Sequence, residues 1–208
     1  METRIVFLGE NGSEQTFVGK ADRERTNVET TLFEMLDQRG YKVVSETSEF
    51  LLAKRNLRDS VMVFFEQASG LTTDRIYKIL SKINENGCNH CIIIYKDGVT
   101  TYVKNLIKND IFEKPRGGRD KLAYDINEFD IEIFNEDELR VNITRHRLQP
   151  KSLTRLSDAE SIAFKSKYGA KIPIFAITDP LVRFYNFKRG DIIAIIRADG
   201  THTYRIVR

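Results

Sequence analysis

Apolar residues recur at three- and four-residue intervals in two stretches of the chain. Val28, Leu32, Met35 and Leu36 form the first, and Ile76, Ile79, Leu80 and Ile83 the second. That spacing puts each set on one face of a helix. Thr26 and Glu29 make a capping box for the first helix, which Gly40 stops. Thr72 or Thr73 caps the second, and Asn86-Gly87 ends it. Continuous β-rich runs lie around them: Ile5 to Leu8, Lys42 to Glu46, Phe50 to Lys54, Val61 to Phe65 and Cys91 to Tyr95. Val99 to Ile107 reads as a short helix, and NEFDIEIF (Asn127 to Phe134) as a half-buried strand with an acidic outer face. Strands alternating with helices predict an α/β domain with a largely parallel sheet.

The rhythm breaks at Asn109 to Asp125, where Lys114 to Lys121 (KPRGGRDK) is a basic, Gly-rich loop tip. It is either a solvated loop or a phosphate-contacting finger. Asn135 to Glu138 is the expected hinge, dividing the chain into domains 1–138 and 139–208. Beyond it, Val141 to Leu148 is expected to be extended, and Pro150 rules out helix there. Ser157 and Glu160 cap a helix carrying Ile162, Phe164, Lys167 and Tyr168 up to Gly169, and Ile174 to Ile177 follows as a strand. Asp179-Pro180 then opens a short amphipathic helix with Leu181, Val182 and Tyr185 on one face. Lys188-Arg189-Gly190 turns the chain into an apolar strand, Asp191 to Ile196, and Asp199-Gly200 signals a hairpin returning through Thr201 to Val207.

Composition alters this picture mainly through charge. The whole chain of 208 residues carries only +3, but Leu139 to Arg208 holds 14 Lys/Arg against 5 Asp/Glu, leaving the first 138 residues at −6. Such asymmetry predicts different partners for the two halves, with nucleic acid or an acidic protein facing the basic one. No apolar run approaches the roughly 20 residues of a membrane span, and the start lacks a secretory segment, so no membrane partner and an intracellular protein are expected. Cys88 and Cys91 cannot close a zinc site between them, and His146 and His202 stand apart, so two reduced, buried cysteines and no metal are expected. Gly9-Glu10-Asn11-Gly12 lacks the lysine and spacing of a phosphate loop and reads as a turn. The tail unit offers Arg183, Lys188, Arg189 and Arg197 around an apolar frame without a nucleophile–base pair, which points to docking rather than catalysis.

Three blocks of that tail carry a resemblance: VNITRHRLQPK (Val141 to Lys151), LSDAE (Leu156 to Glu160) and DPLVRFYNFKRGDIIAIIR (Asp179 to Arg197). In order, spacing and residue type they resemble the C-terminal assembly domain of the RNA polymerase subunit 5 family, which is shared by the eukaryotic nuclear polymerases and has an archaeal counterpart. The first half is similar in pattern to the family's jaw domain, through RGYKVV, VMVFFE, CIIIY and GVTTYVKNLI. The resemblance implies a two-domain α/β fold: a restriction-nuclease-like jaw with a mixed or mainly parallel sheet, and a small mixed α/β assembly domain. It implies a non-catalytic subunit of a multisubunit DNA-directed RNA polymerase, docked on the largest subunit, among other polymerase subunits, with the jaw beside downstream duplex DNA. No cofactor and no small-molecule substrate are implied. The location implied is the nucleus for a cellular member, and the cytoplasmic replication site or virion for a viral one.

Residue by residue, His146, Leu148, Pro150 and Lys151 match the family's first motif, and Asp179, Pro180, Arg183, Tyr185, Lys188, Arg189, Gly190 and Arg197 its last. These are the implied partner-binding residues. Thr100 matches in the jaw, and with Lys104, Arg116 and Arg119 forms the expected nucleic-acid contact. Arg147, Ser152 and Thr101 depart from the usual pattern, and Asn186-Phe187 stands where Gly-Leu is usual. These departures are consistent with a diverged member, of the kind a large DNA virus encodes. Two rivals remain open. A metal-dependent nuclease needs a Glu-X-Lys after its first carboxylate, and Phe65-Glu66-Gln67 lacks the lysine. A free-standing basic nucleic-acid adaptor would bind tightly and salt-sensitively on its own.

Overall fold

The computed structural model describes residues 26–66, 71–96, 98–99, 103, 129–169 and 171–208, together with the backbone of 4–8 and 14–18. The expected turn at Gly9 to Gly12, the loop from Asn109 to Asp125 and most of the helix expected from Val99 to Ile107 lie outside these residues. The chain divides into two compact units, Met1–Arg140 and Val141–Arg208.

In the first unit, β1 (Arg4–Leu8) and β2 (Glu14–Val18) pair as an antiparallel hairpin. α1 (Asn27–Gln38) starts at the Thr26 capping box: Thr26 Oγ1 accepts the Glu29 N–H at 3.2 Å, and Glu29 Oε2 accepts the Thr26 N–H at 2.9 Å. Gly40, at φ +82°, turns the chain out of the helix. β3 (Lys42–Glu46), β4 (Phe50–Lys54) and β5 (Ser60–Glu66) follow as an antiparallel meander, then α2 (Thr73–Glu85), β6 (His90–Tyr95) and β7 (Asp130–Asn135). The sheet order is β3-β4-β5-β6-β7, antiparallel through β5 and parallel from β5 to β7. The sheet is therefore mixed rather than largely parallel. The connections between β3 and β4 and between β4 and β5 are too short for a crossover, which leaves only antiparallel pairing.

Period-two alternation decides what each face buries. Met62 and Phe64 of β5 and Cys91 and Ile93 of β6 pack with Ile76, Ile79, Leu80 and Ile83 of α2, joined by Phe50, Leu52, Ile131 and Ile133. The intervening Leu51, Ala53, Val61, Val63, Ile92, Ile94 and Phe134 are buried on the opposite face. Burial on both faces explains why β5 and β6 read as unbroken apolar runs. Each fully buried Ile, Leu or Met contributes about 1.5–3 kcal/mol. The segment expected as the hinge is a capped 3-10 turn, Glu136–Leu139, whose Leu139 is buried within the first unit.

In the second unit, Val141 to Leu148 is not extended. Asn142, itself buried, caps a 3-10 turn at Ile143–Arg145, its Oδ1 accepting the Thr144 N–H at 2.9 Å. β8 (Ser152–Arg155) precedes α3 (Asp158–Tyr168), β9 (Ile174–Phe175), α4 (Pro180–Phe184), β10 (Ile192–Ile196) and β11 (His202–Val207). The sheet order is β8-β10-β11-β9, with β9 parallel to β11 and the other pairs antiparallel. One face buries Ile193, Ile195, Val207 and Phe175 under Leu181 and Val182 of α4, with Ile143 and Phe187. The other buries Ile192, Ile206 and Ile172 beneath Phe164 of α3, Leu156 and Tyr204. No residue of α3 is fully buried, and Ile162 and Tyr168 are exposed.

Candidate partner interface

The described motif residues belong to the second unit, and most gather around α4. Asp179 caps that helix, its Oδ1 accepting the Leu181 N–H at 2.9 Å, and Pro180 occupies the first helical position. Asp179 is thus structural in the first instance: without it, an N-terminal amide is left unpaired. Leu181, Val182 and Phe184 face the core, whereas Tyr185 is half-buried, its ring stacked on Phe187 at 5.4 Å and edge-on to Phe184 at 5.3 Å. Burial raises the Tyr185 phenol above its ordinary pKa, so it stays neutral.

The turn after α4 explains a departure from the family pattern. Asn186 sits at φ +54°, in the left-handed region, where glycine is usual and asparagine is among the best-tolerated substitutes. Lys188 donates from Nζ to Asn186 Oδ1 at 2.8 Å, and its backbone N–H to Asp191 Oδ2 at 2.8 Å. Asp191 Oδ1 also accepts Arg155 Nη1 at 3.0 Å, tying the Lys-Arg-Gly turn to β8. Gly190 takes φ +91° and donates its N–H to Val207 O at 2.9 Å. Arg183 is half-buried, while Lys188 and Arg189 are exposed.

The first motif covers the same face of the sheet, because Ile143 packs into the cluster that holds Leu181 and Val182. His146 closes the 3-10 turn, its ring is exposed, and its Nδ1 accepts the Leu148 N–H at 3.3 Å. Leu148 is 78% exposed, Lys151 is exposed and Pro150 half-buried. Leu148 is thus held out to solvent on a turn fixed by a cap and a histidine. With β8 pairing Ser152 to Ile196, Lys151 runs in at the same end of β10 as Arg197, which lies in the β10–β11 turn at the opposite end of that strand from Gly190. At about 3.3 Å per residue, the five-residue strand puts Arg197 some 20 Å from Gly190. Thr100, Lys104, Arg116 and Arg119 lie outside the described residues. Sequence reasoning missed Asn142 and Asp191, the two residues that fix the motif turns. An Asn two positions before Thr144, and an Asp three after Lys188, were the available signals.

In the first unit, Glu66 is held by Arg75, with an N–O distance of 2.7 Å, so its carboxylate neutralises a helix cation. Cys88 and Cys91 are buried and free, and burial followed by the nearby Glu132 and Asp130 charges raises the Cys91 thiol. Among the described residues no group of three His, Cys, Asp or Glu is placed to hold a metal.

Residues 141–207 match the family described as RNA polymerase Rpb5, C-terminal domain. A protein of Invertebrate iridescent virus 6, named as a DNA-directed RNA polymerase subunit, is 33% identical over 192 residues, covering 84% of this chain and 95% of its own. The chain belongs to the Rpb5 family. Subunit rpabc1 of DNA-directed RNA polymerases I, II and III from Dictyostelium discoideum is 26% identical over 200 residues, covering 86% of this chain and 94% of its own. The DNA-directed RNA polymerase subunit 5-like protein 1 of Arabidopsis thaliana is 27% identical over 202 residues, covering 86% and 92%. These alignments run through both units, so the Rpb5 likeness extends beyond the matched C-terminal domain. The functional class is transcription by a DNA-directed RNA polymerase.

Proposed function

We propose that this Rpb5-family chain is a non-catalytic structural subunit of a multisubunit DNA-directed RNA polymerase. The second unit acts as the assembly domain and docks on the largest subunit, and the first is the jaw beside downstream duplex DNA. The observation that carries this reading is the pair of braced motif turns, one presenting Leu148 and the other Lys188 and Arg189 to solvent, within the stretch that matches the Rpb5 C-terminal domain. Arg183 and Arg189 offer forked donors to carboxylates of the larger subunit. Engagement of Glu66 by Arg75 supports a jaw without nuclease chemistry. The protein works wherever that polymerase works, in a nucleus or at a viral replication site.

The test is recovery of the complex. Arg183→Glu with Arg189→Glu abolishes co-purification with the largest subunit while urea unfolding of the variant stays cooperative. Undiminished recovery sinks the docking assignment. A free-standing adaptor behaves differently, since it is recovered alone and binds DNA tightly at low salt. Deleting Arg116 to Arg119 reduces DNA retention by the assembled enzyme and leaves assembly intact.

A further inference from the structure

The β4–β5 connection is unusually well braced for an exposed turn. The Arg55 N–H donates to Asp59 O at 2.9 Å, and the Arg58 N–H to Asn56 Oδ1 at 2.9 Å. The Arg55 guanidinium pairs with Asp59 and lies over the Tyr41 ring, 5.2 Å from its centroid. Tyr41 donates its hydroxyl to Asp59 Oδ1 at 2.7 Å, and behind it the ring of His90 meets the Tyr41 ring edge-on. At the tip, Leu57 is 90% exposed.

The charge around this tip runs against that of the unit carrying it. Residues 1–138 hold a net −6, yet Lys54, Arg55 and Arg58 cluster here. Lys42 is the direct cross-strand partner of Lys54, and both are exposed. Like charges placed opposite one another destabilise a sheet. The carboxylate in the turn, Asp59, is engaged by Arg55 and Tyr41, which leaves Lys42, Lys54 and Arg58 for an external anion. Because the turn is already ordered, binding through it costs little conformational entropy.

We propose that this end of the five-stranded sheet is a contact for duplex DNA, distinct from the loop at Arg116 to Arg119. Lys42, Lys54 and Arg58 neutralise backbone phosphates, and Leu57 lies against the sugar edges of the minor groove. Arginine and asparagine flanking one apolar wedge is the composition that minor-groove contacts use. An acidic protein is the weaker fit, because protein interfaces need a core of several apolar or aromatic anchors and the turn offers only Leu57. The contact is independent of base sequence, since phosphates supply most of its energy. This inference rests on the reading of the first unit as a jaw beside DNA.

The experiment uses the full chain assembled into the polymerase on a template with downstream duplex. Leu57→p-benzoylphenylalanine, and separately Thr100→p-benzoylphenylalanine, are irradiated and the labelled partner identified. Leu57 is so exposed that the probe leaves the fold intact. DNA labelling from position 57 is expected. Lys42→Ala, Lys54→Ala and Arg58→Ala together should reduce the slope of log affinity against log salt by up to about 2.7, at roughly 0.9 per phosphate contact. Labelling of DNA from position 100 but only protein, or nothing, from position 57 overturns the hairpin contact and leaves the jaw reading standing. No DNA labelling from either position overturns both.

Discussion

Glu132 is the residue whose loss the first unit should feel most, and its effect can be worked out from geometry. Its Oε1 lies 2.7 Å from both Arg39 Nη1 and His90 Nε2, and its Oε2 lies 2.8 Å from Arg39 Nη2. The Arg39 and Glu132 side chains are only 4% and 9% exposed. Burial alone would push the Glu132 carboxyl up; the Arg39 charge and the hydrogen bonds from His90 and Arg39 outweigh it and hold the pKa at about 2, against 4.5 for a free glutamate. A folded-state pKa below the unfolded one means that the unfolded chain binds the proton first as pH falls. The stabilisation is therefore complete above pH 4.5, declines below it, and is gone once pH drops past about 2. At about 1.4 kcal/mol per pKa unit, the window is worth about 3 kcal/mol.

Glu132→Gln removes that pH-dependent part and takes the carboxylate charge from the buried Arg39 guanidinium, so it should cost about 3–5 kcal/mol at neutral pH. Urea unfolding of wild type and variant at pH 7 and pH 2.5 measures both quantities. The gap between the two proteins should narrow by about 2–3 kcal/mol at the lower pH. A gap that stays constant across the two pH values refutes the assignment of the charge pair. Replacing both partners, Arg39→Met with Glu132→Met, should be less damaging than Glu132→Met alone, because the buried guanidinium leaves with its carboxylate and only His90 loses a partner.

Three further outcomes are expected. Asn186→Gly should leave stability within a few tenths of a kcal/mol, whereas Asn186→Val should cost about 1–2 kcal/mol, both read by thermal unfolding, since a branched side chain is strained at positive φ. Asp179→Ala should cost about 1 kcal/mol through loss of the α4 cap, and Asp179→Asn far less, which separates a capping role from a charge that a partner needs. Leu148→Ser should weaken assembly on the polymerase without lowering the melting temperature, because a side chain this exposed contributes almost nothing to the isolated fold.

Where local chemistry decides an element, the sequence could be read directly. The boxes at Thr26/Glu29 and Ser157/Glu160, the stripe of α2 and the Asp199-Gly200 turn depend on residues within four positions of one another. Two elements without such signals were not legible. β8 has one half-buried apolar residue, Leu153, and exists because β10 offers it an edge. The stretch at Val141 to Leu148 has no helical period and reads as extended, yet the capping oxygen of Asn142 winds it into a turn. The acidic face of β7 was expected to meet solvent, yet Glu132 turns inward toward Arg39, 93 residues earlier in the chain. No window of periodicity reaches that far, and an alternating acidic–apolar strand reads the same whether its charges meet water or a buried guanidinium. In the second unit, the motif's residues were visible in sequence. What remained hidden was that the last motif is split between the two ends of β10, with Lys188-Arg189-Gly190 at one and Arg197 at the other, where Lys151 leads into β8, a matter of strand direction that one-dimensional spacing does not carry.

The thin cover that α3 gives its sheet has a consequence for the cell. With no side chain of that helix fully buried, and Ile162 and Tyr168 left in water, α3 adds little buried apolar area to the small unit's fold. Occupancy by a larger partner adds free energy to the folded form that grows as the partner's concentration exceeds its dissociation constant. An orphan copy should therefore be short-lived and an incorporated one durable, so that proteolysis trims any surplus and keeps the subunit in step with the rest of the enzyme.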